Sequence, residues 1–190
     1  EVEDIEATYD VVVIGGGGAG LTAAITAAQN GSTVVLIEKG GALGGNTLIA
    51  GQGFNAADPA RQSQMTMDSA LVETLKSYLE LDPADFGDFG DVLVTVQGQI
   101  KDYLASGETY LFDTPELHML HCYMGGTRTG MDGTVISPNL ELIDVFCHSA
   151  NDALSWLESI GGGWNDTTST ILGAMWPRSH GLSTGNVIPT

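Results

Sequence analysis

Residues 9–20 read YDVVVIGGGGAG, a short apolar run rich in β-branched residues that ends in a cluster of glycines. Such a run is typical of a buried β-strand. Gly15, Gly17 and Gly20 fit the pattern G-x-G-x-x-G. In that pattern the first glycine allows a tight turn, the second lets a pyrophosphate approach the backbone, and the third allows a helix to pack closely on the strand. The stretch therefore predicts a dinucleotide-binding turn between a strand and a helix.

The residues after the turn extend this prediction to a complete βαβ unit. Residues 21–29 are rich in alanine and favour a helix, which Asn30 and Gly31 should end, and residues 33–37 form a second apolar run. A strand, a helix and a strand in this order imply two parallel strands joined by a right-handed crossover. The predicted fold class is therefore α/β, a Rossmann-like domain with a parallel sheet, followed by a helical region.

Glu38, directly after the second apolar run, indicates which dinucleotides fit. It stands at the position where a carboxylate can accept hydrogen bonds from both ribose hydroxyls, and its charge disfavours a 2′-phosphate. The start of the helix, at Gly18 and Ala19, offers backbone N–H groups and the positive end of the helix dipole to the phosphates. FAD and NAD(H) are both compatible with these features.

Residues 38–56 distinguish between the two cofactors. They read EKGGALGGNTLIAGQGFNA, and residues 8–57 as a whole resemble the flavoprotein family that includes fumarate reductase, succinate dehydrogenase, urocanate reductase and 3-ketosteroid dehydrogenases. Members of that family run from the glycine turn through E-K to G-G-N/S-[ST] and then to an A-x-G-G segment. The resemblance is greatest to the soluble, fumarate-reductase-like branch, and it implies that the cofactor is FAD.

The resemblance also implies where the cofactor lies. Lys39 and residues 45–53 are expected along the pyrophosphate, the ribityl chain and the flavin ring, because small residues let backbone N–H groups reach the cofactor. Gln52 stands where the family usually has glycine, so we expect it to contact the flavin through its backbone. The predicted cofactor-binding residues are Gly15, Gly17, Gly18, Ala19, Gly20, Glu38, Lys39, Gly45, Asn46, Thr47, Gly51, Gln52 and Gly53.

Three later segments carry the same resemblance more thinly. Residues 113–117 (DTPEL) resemble the D-S-P-E-L that precedes a helix in soluble fumarate reductases, and residues 156–161 (WLESIG) resemble their W-x-x-x-x-G. Arg178 and His180 fall where these proteins carry R-A-H-R, which implies a place near the substrate or the flavin edge. The resemblance places the proton donor and the carboxylate-binding residues beyond residue 190, so no catalytic residue is predicted here.

These observations predict the FAD-binding portion of a flavoprotein oxidoreductase of the fumarate reductase type, which reduces a C=C bond beside a carboxylate or carbonyl. A 3-ketosteroid dehydrogenase-like enzyme is an alternative, as is a non-catalytic FAD-binding fragment. A nicotinamide-binding module would leave residues 44–53 unexplained. The expected partners are a small unsaturated acid or carbonyl compound and, by analogy, an upstream electron-transfer domain.

Four segments are predicted along the chain. Residues 1–8 read as a linker, residues 9–57 as the βαβ unit and the flavin loop, and residues 58–163 as a helical part whose clearest helix covers residues 138–160. In this part Leu93, Val96, Ile100 and Leu104 recur at helical spacing, which we interpret as core packing. Pro115 and Pro138 stand at first helical positions, after Thr114 and Ser137. Residues 164–190 are polar and glycine-rich and read as the start of a further segment without a closing element.

Composition excludes two classes of partner. The chain carries 24 acidic and six basic residues, for a formal net charge of −18, so binding to nucleic acid or anionic membranes is not expected. No stretch approaches the roughly 20 apolar residues of a membrane span. The acidic, lysine-poor composition slightly favours an extracytoplasmic setting.

No metal site is predicted. Cys122 and Cys147 stand far apart without a C-x-x-C, and we interpret them as buried free thiols. His118 and His121 have a spacing that can bind a metal on a helix, but they lack a third ligand nearby in sequence and are predicted to be surface residues. Arg128 is predicted to be a solvated surface arginine.

Overall fold

The computed structural model describes residues 6–50 and 53–183, and the chain divides into two compact units, Glu1–Gly51 and Gln52–Thr190. Among the described residues, no helix combines the length and the apolar character needed to cross a bilayer. The two units are considered in turn.

The first unit contains the predicted βαβ arrangement. Strand β1 (Val11–Ile14), helix α1 (Gly18–Gln29) and strand β2 (Val34–Ile37) follow one another, and β1 and β2 pair in parallel from Val11 opposite Val34 to Ile14 opposite Ile37. A short 3₁₀ helix at Gly45–Ile49 follows. The prediction of parallel strands joined by a helix is confirmed.

The third glycine of the turn has the packing role that the sequence predicts. A Cβ built on Gly20 would overlap the carbonyl oxygen of Gly15, so α1 approaches the end of β1 more closely than any other residue would allow. The single helix α1 nevertheless cannot cover both faces of the two-stranded sheet. Ile14 is 84% exposed, and Val12 and Ile37 are more than half exposed.

The second unit is mainly helical. Its helices are α2 (Pro59–Gln62), α3 (Ser69–Tyr78), α4 (Gly90–Ser106), α5 (Pro115–Gly126) and α6 (Leu140–Ser159), with a 3₁₀ segment at Pro83–Phe89. Its strands are β3 (Gly53–Asn55), β4 (Arg128–Thr129), β5 (Val135–Ile136), β6 (Trp164–Ser169) and β7 (Ser179–Leu182). Strands β4 and β5 form a hairpin, and Arg128 is exposed there as predicted.

One hydrophobic core joins the helices of this unit. The predicted helical stripe at Leu93, Val96 and Ile100 is fully buried on α4. Other core residues come from α3, α5 and the segments between the helices, and include Leu75, Phe89, Leu111, Leu117, Leu120 and Trp176. The α4 stripe therefore packs in the core, with Leu104 partly buried, whereas Phe146 on α6 is about half exposed.

Side-chain caps set the starts of two helices. Thr114 Oγ1 accepts a hydrogen bond from the Leu117 N–H at 3.0 Å, so α5 begins at Pro115 as the sequence indicates. Asn139 Oδ1 accepts from the Leu142 N–H at 2.9 Å. Helix α6 therefore begins at Leu140, two residues later than predicted, because Asn139 and not Ser137 is its cap.

A three-stranded antiparallel sheet with the order β3–β7–β6 stands where the sequence predicts irregular chain. Gly53 pairs with Gly181 and Asn55 with Ser179, while Ser169 of β6 also lies opposite Ser179. Residues 164–169 and 179–182 thus form strands within a stretch that the sequence predicts only as polar and glycine-rich. The strands are short and polar, and β3 pairs with a strand more than 120 residues away, which local pattern does not reveal.

His118 and His121 lie inside the second unit and not on its surface as predicted. Helix α5 packs against both α4 and α6, so only 5% of His118 and 6% of His121 are exposed. His121 Nε2 lies 2.9 Å from the Tyr78 hydroxyl. Burial, with the positive charge of Arg178 and the neighbouring His118, lowers the pKa of His121 to about 3.

This lowered pKa makes stability depend on pH. Between the ordinary pKa of 6.5 and about 3, the unfolded chain binds a proton at His121 and the folded chain does not. The free energy of unfolding should therefore fall with decreasing pH, by up to about 1.4 kcal/mol per pH unit. Urea unfolding at several pH values in this range measures how steeply the free energy of unfolding depends on pH. For His121→Gln this dependence should be weaker by up to that amount. His148→Gln, at an exposed position on α6, should leave it unchanged in this range. Identical slopes in the wild type and His121→Gln would contradict the assignment.

Candidate cofactor site

The glycine turn of the first unit leaves space beside its backbone. The Gly15 N–H donates to the Ile37 carbonyl at 2.8 Å, and Gly15 has a φ of +102°, a conformation that favours glycine. Gly17 directly precedes α1, and a Cβ built on it meets no atom within 4 Å. The first turn of α1 contains no acidic residue. The turn is thus open on the side where an anionic group would meet the helix N-terminus.

A second loop of the same unit lies against this turn. The Gly44 N–H donates to the Gly16 carbonyl at 2.8 Å, and Thr47 Oγ1 accepts from the Gly18 N–H at 3.1 Å. A Cβ on Gly45 would come within 3.4 Å of the Gly17 Cα. The structure therefore brings together the two loops that the sequence assigns to one cofactor, although they lie almost 30 residues apart. Asn46 and Lys39 are exposed.

Glu38 stands at the end of β2 beside the turn. Its Oε2 accepts from the Gly16 N–H at 2.7 Å, and its Oε1 accepts from the Gly40 N–H at 2.7 Å. The hydrogen bond from Gly16, followed by that from Gly40, lowers the pKa of the Glu38 carboxyl, so it is ionised at neutral pH. Each carboxylate oxygen retains a further acceptor site, so ribose hydroxyls can bind without breaking these contacts.

Replacing Glu38 by alanine is expected to weaken FAD binding by at least about tenfold, because a hydrogen bond to a charged acceptor is lost at the ribose and the turn loses two anchors. Titration of the full-length apoprotein with FAD measures the effect. Glu6→Ala removes an exposed acid from the same unit and is the matched control. Equal FAD affinity in Glu38→Ala and the wild type would show that the carboxylate does not bind the cofactor.

The end of the flavin loop is only partly visible. Gly51 and Gln52 lie outside the described residues. Gly53 belongs to β3 in the second unit, where a Cβ would overlap Ser179 Oγ and press on Ile171. The structure thus gives Gly53 a packing role in the antiparallel sheet, and its contact with the flavin stays a prediction.

Arg178 and His180 bind acidic partners inside the second unit. Arg178 is 3% exposed and holds Asp113 through two hydrogen bonds, Nε to Oδ2 at 2.9 Å and Nη2 to Oδ1 at 2.7 Å. His180 is fully buried between the Phe54 carbonyl, 3.0 Å from Nδ1, and Asp58 Oδ2, 3.1 Å from Nε2. A substrate role would require either side chain to exchange these partners.

Asp58 organises the surroundings of His180, and the sequence did not single it out. Burial alone would raise the pKa of its carboxyl. Hydrogen bonds from Arg61 and from His180 outweigh burial, and the net pKa is lowered. Asp58 also accepts from the Ala60 N–H at the start of α2, so one carboxylate caps a helix and fixes the histidine. The sequence signal was Asp58-Pro59, typical of a helix N-cap.

The geometry of the first unit fits an adenine dinucleotide. The open side of Gly17, the acid-free start of α1 and the carboxylate of Glu38 lie in the order in which the fingerprint predicts the phosphate and ribose contacts. The second loop, through Gly44 and Thr47, adds a further surface that a nicotinamide-binding unit does not require.

Comparison with known proteins agrees with this assignment. Residues 10–92 match the family model of the FAD binding domain. The chain is 36% identical to the NADH:acrylate oxidoreductase of Vibrio harveyi over 181 residues, which is 93% of this chain and 18% of that protein. It is 55% identical to the NADH:fumarate oxidoreductase of Klebsiella pneumoniae over 73 residues, 36% of this chain and 8% of that protein.

A solved structure supports the fold. The chain matches the open conformation of a flavocytochrome c3 fumarate reductase with a TM-score of 0.58 and 22% identity, over 95% of this chain and 22% of that one. The chain thus spans about a fifth of the length of that structure and less than a fifth of the two relatives. The chain is similar to the flavoproteins that include the fumarate reductases, residues 10–92 carry part of an FAD binding domain, and its cofactor is FAD.

Proposed function

We propose that the protein containing this chain reduces a C=C bond beside a carboxylate or carbonyl. The observation that carries this proposal is the similarity to the Vibrio harveyi acrylate oxidoreductase, which extends over 93% of the chain and not only over the segment that matches the FAD binding domain. The helical second unit therefore shares its ancestry with a reductase of a small unsaturated acid. This favours reduction of an activated double bond over dehydrogenation of a ring ketone.

In this proposal the chain contributes cofactor binding and orientation. Bound FAD supplies hydride transfer. The backbone at Gly17 and Gly18 meets the pyrophosphate, Glu38 holds the ribose, and Lys39 places a positive charge beside the phosphates. Gly45, Asn46 and Thr47 then direct the cofactor along the second loop, towards the predicted contacts at Gly51, Gln52 and Gly53.

Electrons are proposed to reach the flavin from another domain or protein, by analogy with flavoproteins that carry a separate electron-transfer domain. The formal charge of −18 favours an electron donor with a basic docking surface.

The function is tested with the full-length protein and a reduced viologen dye as electron donor. Oxidation of the dye should depend on the addition of an unsaturated acid, with acrylate, fumarate and urocanate as the first acceptors and their saturated analogues as controls. Failure of all unsaturated acids and enones, combined with flavin reduction by a saturated ring ketone, would overturn the proposal in favour of a dehydrogenase.

The 190-residue chain alone is expected to show no reductase activity and to bind FAD weakly. The first unit has two parallel strands with exposed apolar side chains, and no proton donor is predicted in the chain. Loss of a proton donor alone typically lowers the rate by a factor of about 100 to 10,000. Oxidation of reduced FAD by fumarate should be no faster with the chain than without it, and light scattering should detect association. Acceptor-dependent turnover by the isolated chain would contradict this expectation and make Arg178 and His180 catalytic candidates again.

A further inference from the structure

Three potential metal ligands meet between two helices of the second unit. His118 and Cys122 lie one turn apart on α5, and Cys147 lies on α6, which packs against α5. One ligand atom from each residue lies within 4.8 Å of the other two. Cys147 is 25 residues from Cys122 in sequence, so the tertiary structure alone brings the set together.

His118 and Cys147 are buried and Cys122 is half-buried, and one polar atom of the cluster has no hydrogen-bond partner. Only 5% of His118 is exposed, and its Nδ1 is shielded from solvent and has no hydrogen-bond partner among the described residues. Cys147 is 2% exposed, and both cysteines are free thiols. His121 Nδ1 is likewise without a partner, and both imidazoles border one cavity. A buried imidazole nitrogen without a partner is unusual in a folded protein, so His118 has a nitrogen available to a ligand.

The donor set suits a particular ion. Two sulfur atoms and one imidazole nitrogen are ligands that Zn²⁺ prefers, at about 2.3 Å and about 2.0 Å respectively. In a tetrahedral site such ligands lie roughly 3.4–3.8 Å apart. Ligand atoms within 4.8 Å of one another reach that spacing through a movement of about 1 Å, within the range of a side-chain adjustment.

Charge balance agrees with a divalent cation. Two thiolates neutralise Zn²⁺, and the thiol protons are released to solvent on binding. Arg178 is the positive side chain nearby, and its charge is already compensated by the two hydrogen bonds to Asp113. The site therefore does not face an unpaired positive charge.

We propose that His118, Cys122 and Cys147 bind a zinc ion with three protein ligands and a fourth position open to water. A cavity of about 180 Å³ lies beside the cluster and is lined by His118, Cys122, Asn55, His121, Trp176 and Arg178. It supplies the space for the fourth ligand, and three protein ligands with one exchangeable position are typical of zinc sites that are not purely structural.

Cobalt and zinc titrations of the full chain test this proposal. The chain is reduced, freed of metal with a chelator and titrated with Co²⁺ under anaerobic conditions. One Co²⁺ per chain should bind with thiolate-to-cobalt charge-transfer absorption and the intense visible bands of four-coordinate cobalt, and Zn²⁺ should displace it. Zinc affinity is then measured by competition with a chromophoric chelator, and a rise in the thermal midpoint should accompany zinc binding.

Single-ligand variants and one matched control make the test specific. Cys122→Ser, Cys147→Ser and His118→Gln should each lower zinc affinity by more than about a hundredfold and lose the zinc-dependent rise in thermal midpoint. His148→Gln removes an exposed imidazole next to Cys147 and should change neither. Cys147→Ala removes the ligand without placing a hydroxyl in the buried position, so it separates loss of metal from loss of folding, which circular dichroism reports.

Two results would overturn the proposal. The first is a folded, reduced chain with both thiols titratable that gives no thiolate-to-cobalt band. This result counts against the proposal even if the same chain forms a Cys122–Cys147 disulfide when it is later exposed to air. The second is a band of full intensity in folded Cys147→Ala, which would place the ion elsewhere.

Discussion

Gly17→Val in the full-length protein is expected to give folded, colourless protein. Gly17 has an extended backbone, with φ of −77° and ψ of −176°, which any residue can adopt, and a Cβ there meets no protein atom within 4 Å. The fold should therefore tolerate valine. The same side chain fills the space where the pyrophosphate must approach the start of α1, so FAD affinity should fall by at least about a hundredfold.

Two further glycines serve as controls for this variant. Gly98 lies exposed on α4 with open space around its Cβ position, so Gly98→Val makes the same chemical change and should retain stoichiometric flavin. Gly20→Val should fail to fold, because its side chain overlaps the Gly15 carbonyl. Flavin content is read from absorbance and folding from circular dichroism. Stoichiometric flavin in folded Gly17→Val would show that the pyrophosphate does not lie at this turn.

Arg178→Met is expected to destabilise the second unit by about 3–5 kcal/mol, because it leaves the buried carboxylate of Asp113 without its positive partner. The side chains of both residues are almost inaccessible, with 4% of Arg178 and none of Asp113 exposed. Gln62 Nε2 also donates to Asp113 Oδ2 at 2.8 Å, but an amide does not neutralise the charge. Urea unfolding measures the loss.

The double variant Arg178→Met/Asp113→Leu distinguishes the cost of leaving one buried charge unpaired from the cost of removing the ion pair altogether. Removing both charges should restore much of the stability lost in the single variant. Arg128→Met, at an exposed arginine, should change stability by less than about 0.5 kcal/mol. A stable Arg178→Met protein with weakened substrate binding would instead support the substrate role that the R-S-H segment predicts.

Local sequence was sufficient for the first unit because its signals act over short distances. The β-branched run before Gly15, the alanine-rich stretch and the second apolar run each specify one element, and the handedness of the crossover joins them in one way. The three glycines and Glu38 predict a dinucleotide whose phosphates and ribose meet mostly backbone and one carboxylate. Such a site can be predicted from spacing along the chain.

Helix patterns also identified the buried stripe of α4 and the Thr114 cap, since periodicity and caps depend on neighbours within a few residues. They did not reveal which face of α5 is covered. His118 and His121 are buried because α4 and α6 both pack on that helix, and the pairing of helices depends on the whole core.

In the second unit, the tertiary structure decided the contacts between residues far apart in sequence. It pairs β3 with β7, sets Arg178 against Asp113, and places Cys147 beside His118 and Cys122. None of these contacts has a local signal, because a short polar strand, a buried ion pair and a shared ligand set are each stabilised by atoms that only folding brings within reach. The sequence by itself determined the βαβ unit and predicted a dinucleotide, and the resemblance of residues 8–57 to a known flavoprotein family indicated FAD. Packing of the second unit determined that Arg178 pairs with Asp113, and it brought His118, Cys122 and Cys147 together as a potential metal site.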